Sequence, residues 1–134
     1  MTQFEDATRL RTLPVPARVQ LGSAAVWLLG GLALGIVMAA SGDHVLRGVH
    51  SHMQLLGWVS LALTGLVYAA LPEAGRSPLA RWHVVLHNLG LPVMLAALAA
   101  YVLGVTQAEP GIALGALLST AGLLAFAITV WRAL

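Results

Sequence analysis

The sequence predicts an all-α integral membrane protein, a four-helix bundle that runs up-down-up-down with both termini on the cytoplasmic side. Of its 134 residues, 59% are hydrophobic and only 9% are charged, whereas a soluble domain carries about 25% charged residues. The few charges also divide the chain into four long uncharged stretches. There is no cysteine, so disulfides and thiolate metal sites are excluded. The net charge of +2 is too small and dispersed to indicate nucleic-acid binding.

Each uncharged stretch has the length of one membrane crossing. About 20 apolar residues in a helix cross the hydrocarbon core, and a helix is required because lipid offers no partners to backbone polar groups. A polar segment at residues 1–16 precedes the first crossing. The stretches between the charges, which hold 24, 25, 27 and 22 residues, predict helices at about 17–40, 49–71, 79–105 and 110–131.

The connections between these helices are short and rich in helix-breaking residues. The turn at residues 41–43 ends in Asp43, which is placed to cap the second helix. Residues 72–78 (PEAGRSP) predict a loop. A tight turn at 106–110 ends in Pro110, which suits the first turn of the last helix.

The arginines predict the orientation in the membrane, because positive residues are enriched on the cytoplasmic side. Four crossings leave only Arg47 on the outer side. The first sixteen residues do not resemble a cleavable signal, so the first span is expected to remain in the mature protein. The inner side receives the other six arginines, namely Arg9, Arg11, Arg18, Arg76, Arg81 and Arg132.

Small residues four apart predict close approach of helices. They support a packed bundle or a homo-oligomer without distinguishing the two. The stripes are Gly31 and Gly35, then Ala96, Ala100 and Gly104, and finally Gly111, Gly115 and Ser119.

Five histidines are the chemically richest feature, because neutral imidazole binds haem iron, copper and zinc. His83 and His87 lie at the inner start of the third helix and share one face. They could hold one metal together, or one could bind it and the other support it. The alternative is that His83 lies at the membrane interface beside Arg81 and Trp82 and that His87 only bonds a neighbouring helix. Pro92 weakens the third helix nearby. The other group, at the outer start of the second helix, is His44, His50 and His52.

The outer histidines point in different directions. His50 and His52 lie about 200° apart on a regular helix, so we expect His52 to face inward and His50 to face another neighbour. His52 and His87 differ in depth by roughly 13 Å, so one small ion in one subunit should not reach both groups. Two sites or a large planar cofactor fit better, and Gly57 leaves room for such a macrocycle one turn below His52.

Two segments resemble a known family. Residues 50–58 (HSHMQLLGW), with Leu71-Pro72 at the helix end, resemble the second helix of the catalytic subunits of haem-copper oxidases and nitric oxide reductases. Residues 80–90 (ARWHVVLHNLG) resemble the next helix of small "subunit I-like" bacterial proteins. The resemblance implies an axial haem ligand at His52 or His50. The later helices that carry the remaining haem and copper ligands in that family are absent, so a complete enzyme is not expected.

The resemblance implies a protein of the bacterial inner membrane that binds haem b and/or copper. Its expected role is electron transfer or binding of O2 or NO, with His50, His52, His83 and His87 as candidate cofactor and metal ligands. Partners would be the lipid bilayer, further copies of the chain and a component of the respiratory chain. Two alternatives stay open: an accessory or assembly subunit of a respiratory oxidase, and a cofactor-free structural oligomer whose histidines bond neighbouring helices.

Overall fold

A computed structural model describes residues 13–134, and every secondary-structure element in this part of the chain is a helix. Within these residues, four helices are long and apolar enough to cross a membrane, which supports a multi-pass membrane protein. Their bounds confirm the four predicted spans to within a few residues. Arg9, Arg11 and most of the predicted segment 1–16 lie outside the described residues. The helices are α1 (Val15–Ser41), α2 (Arg47–Ala70), the short α3 (Pro72–Arg76), α4 (Pro78–Val102) and α5 (Glu109–Ala133).

The helix ends follow from local sequence. α1 ends at Gly42, which adopts the left-handed conformation with φ of 71°. Ser77 caps α4, because its hydroxyl accepts a hydrogen bond from the Ala80 backbone N–H at 3.1 Å. Pro110 lies in the first turn of α5, as predicted. The prediction for Asp43 was wrong: its carboxylate accepts from the Val45 N–H within the turn, and α2 begins later without a side-chain cap.

Two further connections differ from the expectation. The predicted loop at 72–78 contains one helical turn, α3. The predicted tight turn at 106–110 contains a 3-10 helix, Thr106–Ala108. α4 continues without interruption past Pro92, which lies on its exposed side. Because α4 already ends at Val102, Gly104 belongs to the following turn, with φ of 102°, and takes no part in a helix stripe.

The middle of α2 is not an ordinary α-helix. Residues Met53–Val59 form a π-helix, in which each N–H bonds the carbonyl five residues back. The Ser60 hydroxyl reinforces this wider turn by donating to the Leu55 carbonyl at 2.7 Å. π-helical segments are rare and frequently occur at functional sites. The segment begins directly after His52, so it changes the register of all later α2 side chains.

α4 and α5 pack backbone against backbone. A Cβ atom placed on Gly90 would lie 2.7 Å from the Ser119 backbone nitrogen. One placed on Gly115 would collide with the Met94 backbone nitrogen and lie 2.6 Å from the Gly90 carbonyl oxygen. We call this contact the glycine seam, formed by Gly90, Gly115 and the neighbouring Gly122. The predicted stripe of small residues on the last helix therefore packs against α4 of the same chain.

α1 and α2 pack differently, because their glycines receive side chains rather than backbone. Gly31 faces the Gln54 amide, and a Cβ on Gly35 would lie 3.0 Å from the His50 ring. The Trp27 ring packs against Gly57, and a Cβ placed on Gly57 would lie 2.7 Å from Trp27 Cγ. The expected space for a macrocycle beside Gly57 is thus filled by an indole.

Candidate functional site

Five polar side chains from three helices meet in the interior of the bundle. We call them the interior network: Gln20 from α1, Thr64 and Tyr68 from α2, and His83 and Asn88 from α4. Gln20 and His83 are 0% exposed. Burying polar groups in an apolar environment costs several kcal/mol unless they are hydrogen-bonded. The hydrogen bonds of this network therefore decide whether it is stable.

The direction of the network is fixed by one backbone carbonyl. The Val84 carbonyl can only accept, so Asn88 Nδ2 donates to it at 2.9 Å. The same nitrogen donates to Gln20 Oε1 at 2.6 Å, which turns the Gln20 Nε2 toward α2 and α4. That nitrogen donates its two hydrogens to Thr64 Oγ1 at 3.3 Å and to His83 Nε2 at 3.2 Å. The Thr64 hydroxyl in turn donates to the Leu61 carbonyl.

The tautomer of His83 follows from these bonds. Because Nε2 accepts from Gln20, the proton of the neutral ring is on Nδ1. This N–H donates to the Tyr68 hydroxyl oxygen at 3.0 Å. Both ring nitrogens of His83 are thus engaged, and Phe126 and Tyr68 pack against its ring with centroids 5.2 and 5.6 Å away.

His87 lies one turn further along the same face of α4, as the spacing predicts. Its ring centroid is 5.6 Å from that of His83. Nε2–H donates to the Leu56 carbonyl of the π-helical segment at 3.1 Å. Nδ1 is then an acceptor, and it is buried without a hydrogen-bond partner within residues 13–134. His87 therefore ties α4 to α2 through a single nitrogen.

His50 and His52, at the start of α2, contact a backbone carbonyl through Nδ1, whereas His87 does so through Nε2. His50 is half-buried, and its Nδ1 contacts the Gly31 carbonyl of α1 at 2.9 Å. His52 is exposed, and its Nδ1 contacts the Gly48 carbonyl one turn back at 2.8 Å. Carbonyls only accept, so both rings carry the proton on Nδ1 and leave Nε2 as a lone pair. The expectation that His52 faces inward was wrong, because the side chain projects from the outer surface of α2.

His44 remains in the turn before α2, exposed, with its Nδ1 on the Gly42 carbonyl at 3.0 Å. Among residues 13–134, no group of three or more His, Asp or Glu side chains could hold a metal ion. The structure thus brings His83 and His87 together, and His50 and His52 each bond a different backbone carbonyl.

Four members of the interior network were not among the predicted site residues. They lie on three different helices, so no spacing in the sequence brings them together: Gln20, Thr64, Tyr68 and Asn88. The available signal was their depth, because polar side chains inside a membrane span usually face the protein interior and pair with one another.

Comparisons with known proteins add no assignment: no protein-family model, curated protein or solved structure matches this chain.

Proposed function

We propose that this chain is a haem-binding membrane protein of the haem-copper oxidase-like superfamily, acting in electron transfer or in binding O2 or NO. The proposed axial ligand is His52, with the site completed by a second copy of the chain. One observation carries this proposal: the His52 ring is held by a bond from Nδ1–H to a carbonyl, and its Nε2 lone pair faces outward.

This arrangement is the one that metal-binding histidines use. The nitrogen that does not bind the metal typically donates to a carbonyl or carboxylate, which fixes the tautomer and the ring orientation. His83 does not fit this role, because both of its nitrogens are engaged in the interior network. His87 Nδ1 is free but completely enclosed. The outer group is therefore favoured over the inner one.

Exposed apolar side chains follow His52 along α2, as a large apolar cofactor would require. Leu55 and Val59 of the π-helical segment are exposed by 63% and 38%. A porphyrin provides four of the iron ligands itself, so one histidine from each of two chains completes the coordination. In the same arrangement, a bare copper(II) ion would receive only one histidine nitrogen from each chain, fewer ligands than the square-planar geometry it prefers. Haem is therefore favoured over copper.

In this proposal the haem supplies the redox or gas-binding chemistry, and the chain supplies ligand and environment. His52 would bind the iron, and the Gly48 carbonyl would orient its ring. His50, half-buried against α1 with its own Nδ1 held by Gly31, would keep α1 and α2 together behind the ligand. The apolar side chains would exclude water from the ring faces, which is one of the ways in which proteins adjust haem potentials.

An absorption spectrum with iron and copper analysis of the gently purified full-length protein tests the proposal. We expect a Soret band and iron, both lost in His52→Ala. His44→Ala is the matched control, since it removes an exposed histidine of the neighbouring turn, and it should keep the band. His87→Ala should also keep the band while lowering stability. A colourless wild-type protein without iron would refute the proposal.

A second candidate is a cofactor-free structural oligomer, and the interior network favours it specifically. Its side chains bond one another without a metal, and they link three helices. This candidate predicts that His83→Ala lowers the stability of the bundle, that His52→Ala has little effect, and that purified protein contains neither iron nor copper. The absorption spectrum and metal analysis therefore separate the two candidates.

We further propose an up-down-up-down bundle in the bacterial inner membrane with both termini in the cytoplasm. Two features support this topology: Pro14 before α1 packs on Gly75, and Arg132 near the end of α5 shares a cavity with Glu73. Because the chain has no cysteine, single cysteines can report the side directly. Glu73→Cys should be protected from an impermeant thiol reagent in intact cells, and Asp43→Cys should react.

A further inference from the structure

A groove of about 520 Å³ opens at the end of the bundle where α1 and α4 begin. One wall is residues 13–16 with Gly75, and the other is the first turns of α4. Within residues 13–134, two arginines line it, Arg76 and Arg81, together with Val84 and Val85. We call it the α1–α4 groove. It is separate from the interior network and from the proposed haem ligand, so its role does not depend on the proposed function.

The groove is positively charged at its mouth and apolar further in, which matches the charged headgroup and apolar acyl chain of an anionic phospholipid. Arg76 and Arg81 flank the start of the membrane-spanning helix α4, at the level of lipid headgroups. Val84 and Val85 lie a turn deeper, where the wall is apolar. The start of α1 adds the partial positive charge of a helix N-terminus that has no acidic residue in its first turn.

The charge in the groove is available to an anion. The contact between Arg76 and Glu73 is 2.7 Å, but these side chains are 58% and 88% exposed. An ion pair this exposed contributes little and exchanges easily. Glu73 is the acidic side chain that approaches this part of the groove within the described residues, and it lies outside the lining. A phosphate between the two guanidinium groups would therefore be attracted.

We propose that the α1–α4 groove binds an anionic phospholipid, with the headgroup phosphate on Arg76 and Arg81 and an acyl chain along Val84 and Val85. Basic pockets between membrane helices are recognised binding sites for anionic headgroups. A zwitterionic lipid gains less there, because its own ammonium group opposes the two guanidinium groups. Free phosphate has no acyl chain to contact Val84 and Val85, so it should bind more weakly than the lipid.

Lipid binding to the full-length protein in detergent, measured by native mass spectrometry, tests this. Phosphatidylglycerol, phosphatidylcholine with identical acyl chains, and inorganic phosphate are compared at equal concentration. We expect phosphatidylglycerol to bind most tightly, and Arg81→Gln to weaken it about fivefold, since one arginine near the surface contributes on the order of a fivefold change. Arg132→Gln, which removes the same charge at the same end but outside the groove, should leave binding unchanged.

A second variant, Val85→Trp, fills the apolar part without altering charge and should also weaken phosphatidylglycerol binding, even if Arg81→Gln folds poorly. Equal weakening by Arg132→Gln would overturn the proposal, because it would show attraction to net charge alone. Equal binding of phosphatidylcholine, or binding of inorganic phosphate as tight as that of the lipid, would overturn it as well.

Discussion

Gly115→Ala should strongly destabilise the bundle, because the glycine seam has no room for a methyl group. The new Cβ would collide with the Met94 backbone nitrogen and lie 2.6 Å from both Met94 Cα and the Gly90 oxygen. Non-bonded carbon atoms prefer about 3.5–4.0 Å, so α4 and α5 must separate by roughly 1 Å. All three obstacles are backbone atoms, which no rotamer change can move away.

The size of the effect follows from how membrane helices associate. Lipid gives no hydrophobic drive between helices, so close packing carries their association. Overpacking usually costs about 1–3 kcal/mol, and we expect about 3 kcal/mol here because the obstacles are rigid. Gly22→Ala is the matched control: nothing lies within 4 Å of the new atom, so the higher helix propensity of alanine should make it neutral or stabilising by up to about 1 kcal/mol.

The assay is equilibrium unfolding of both variants by a denaturing detergent, followed by tryptophan fluorescence. Circular dichroism before titration verifies that each variant is helical. If Gly115→Ala and Gly22→Ala differed by less than about 0.5 kcal/mol, the backbone contact inferred for the seam would be incorrect.

Three further predictions use the same unfolding assay. Tyr68→Phe removes the acceptor of His83 Nδ1–H and leaves a buried donor unpaired, so it should cost about 1–3 kcal/mol; an unchanged midpoint would contradict the hydrogen bond between Tyr68 and His83. Gly31→Ala meets only the movable Gln54 amide and should cost less than about 1 kcal/mol, well below Gly115→Ala. Pro92→Ala restores a backbone donor on the exposed side of α4 and should stabilise by about 1–3 kcal/mol; a loss would mean that the proline ring itself shapes the helix.

The positions of the spans could be predicted because they depend on two simple quantities, charge and length. Charged side chains are excluded from the hydrocarbon, so Arg18, Asp43, Arg47 and Glu109 mark the ends of the helices almost directly. The loops were less predictable. A carboxylate such as that of Asp43 can accept a hydrogen bond from a backbone N–H in a turn or from one at the start of a helix. The path of the backbone decides which of the two it reaches.

The orientation of the site residues was harder to predict. Spacing placed His83 and His87 on one face correctly, because α4 is a regular helix there. Spacing also separated His50 from His52 correctly, but it cannot tell which of two residues about 200° apart on a helix faces the interior. His50 packs against α1, and His52 is exposed. Glycine spacing was equally ambiguous: Gly31 accommodates a side chain, whereas Gly115 accommodates a backbone.

The interior network also has a consequence for biogenesis. Helices enter the membrane in chain order, so Gln20 arrives long before His83 and Asn88. Until α4 is inserted, the Gln20 amide has only Thr64 to bond within its own helix pair, and its oxygen faces lipid without a donor. A nascent chain that stops after α2 therefore exposes an unsatisfied polar group at membrane depth. An unpaired polar group is costly in lipid, and the insertion of α4 supplies the missing donor, Asn88 Nδ2.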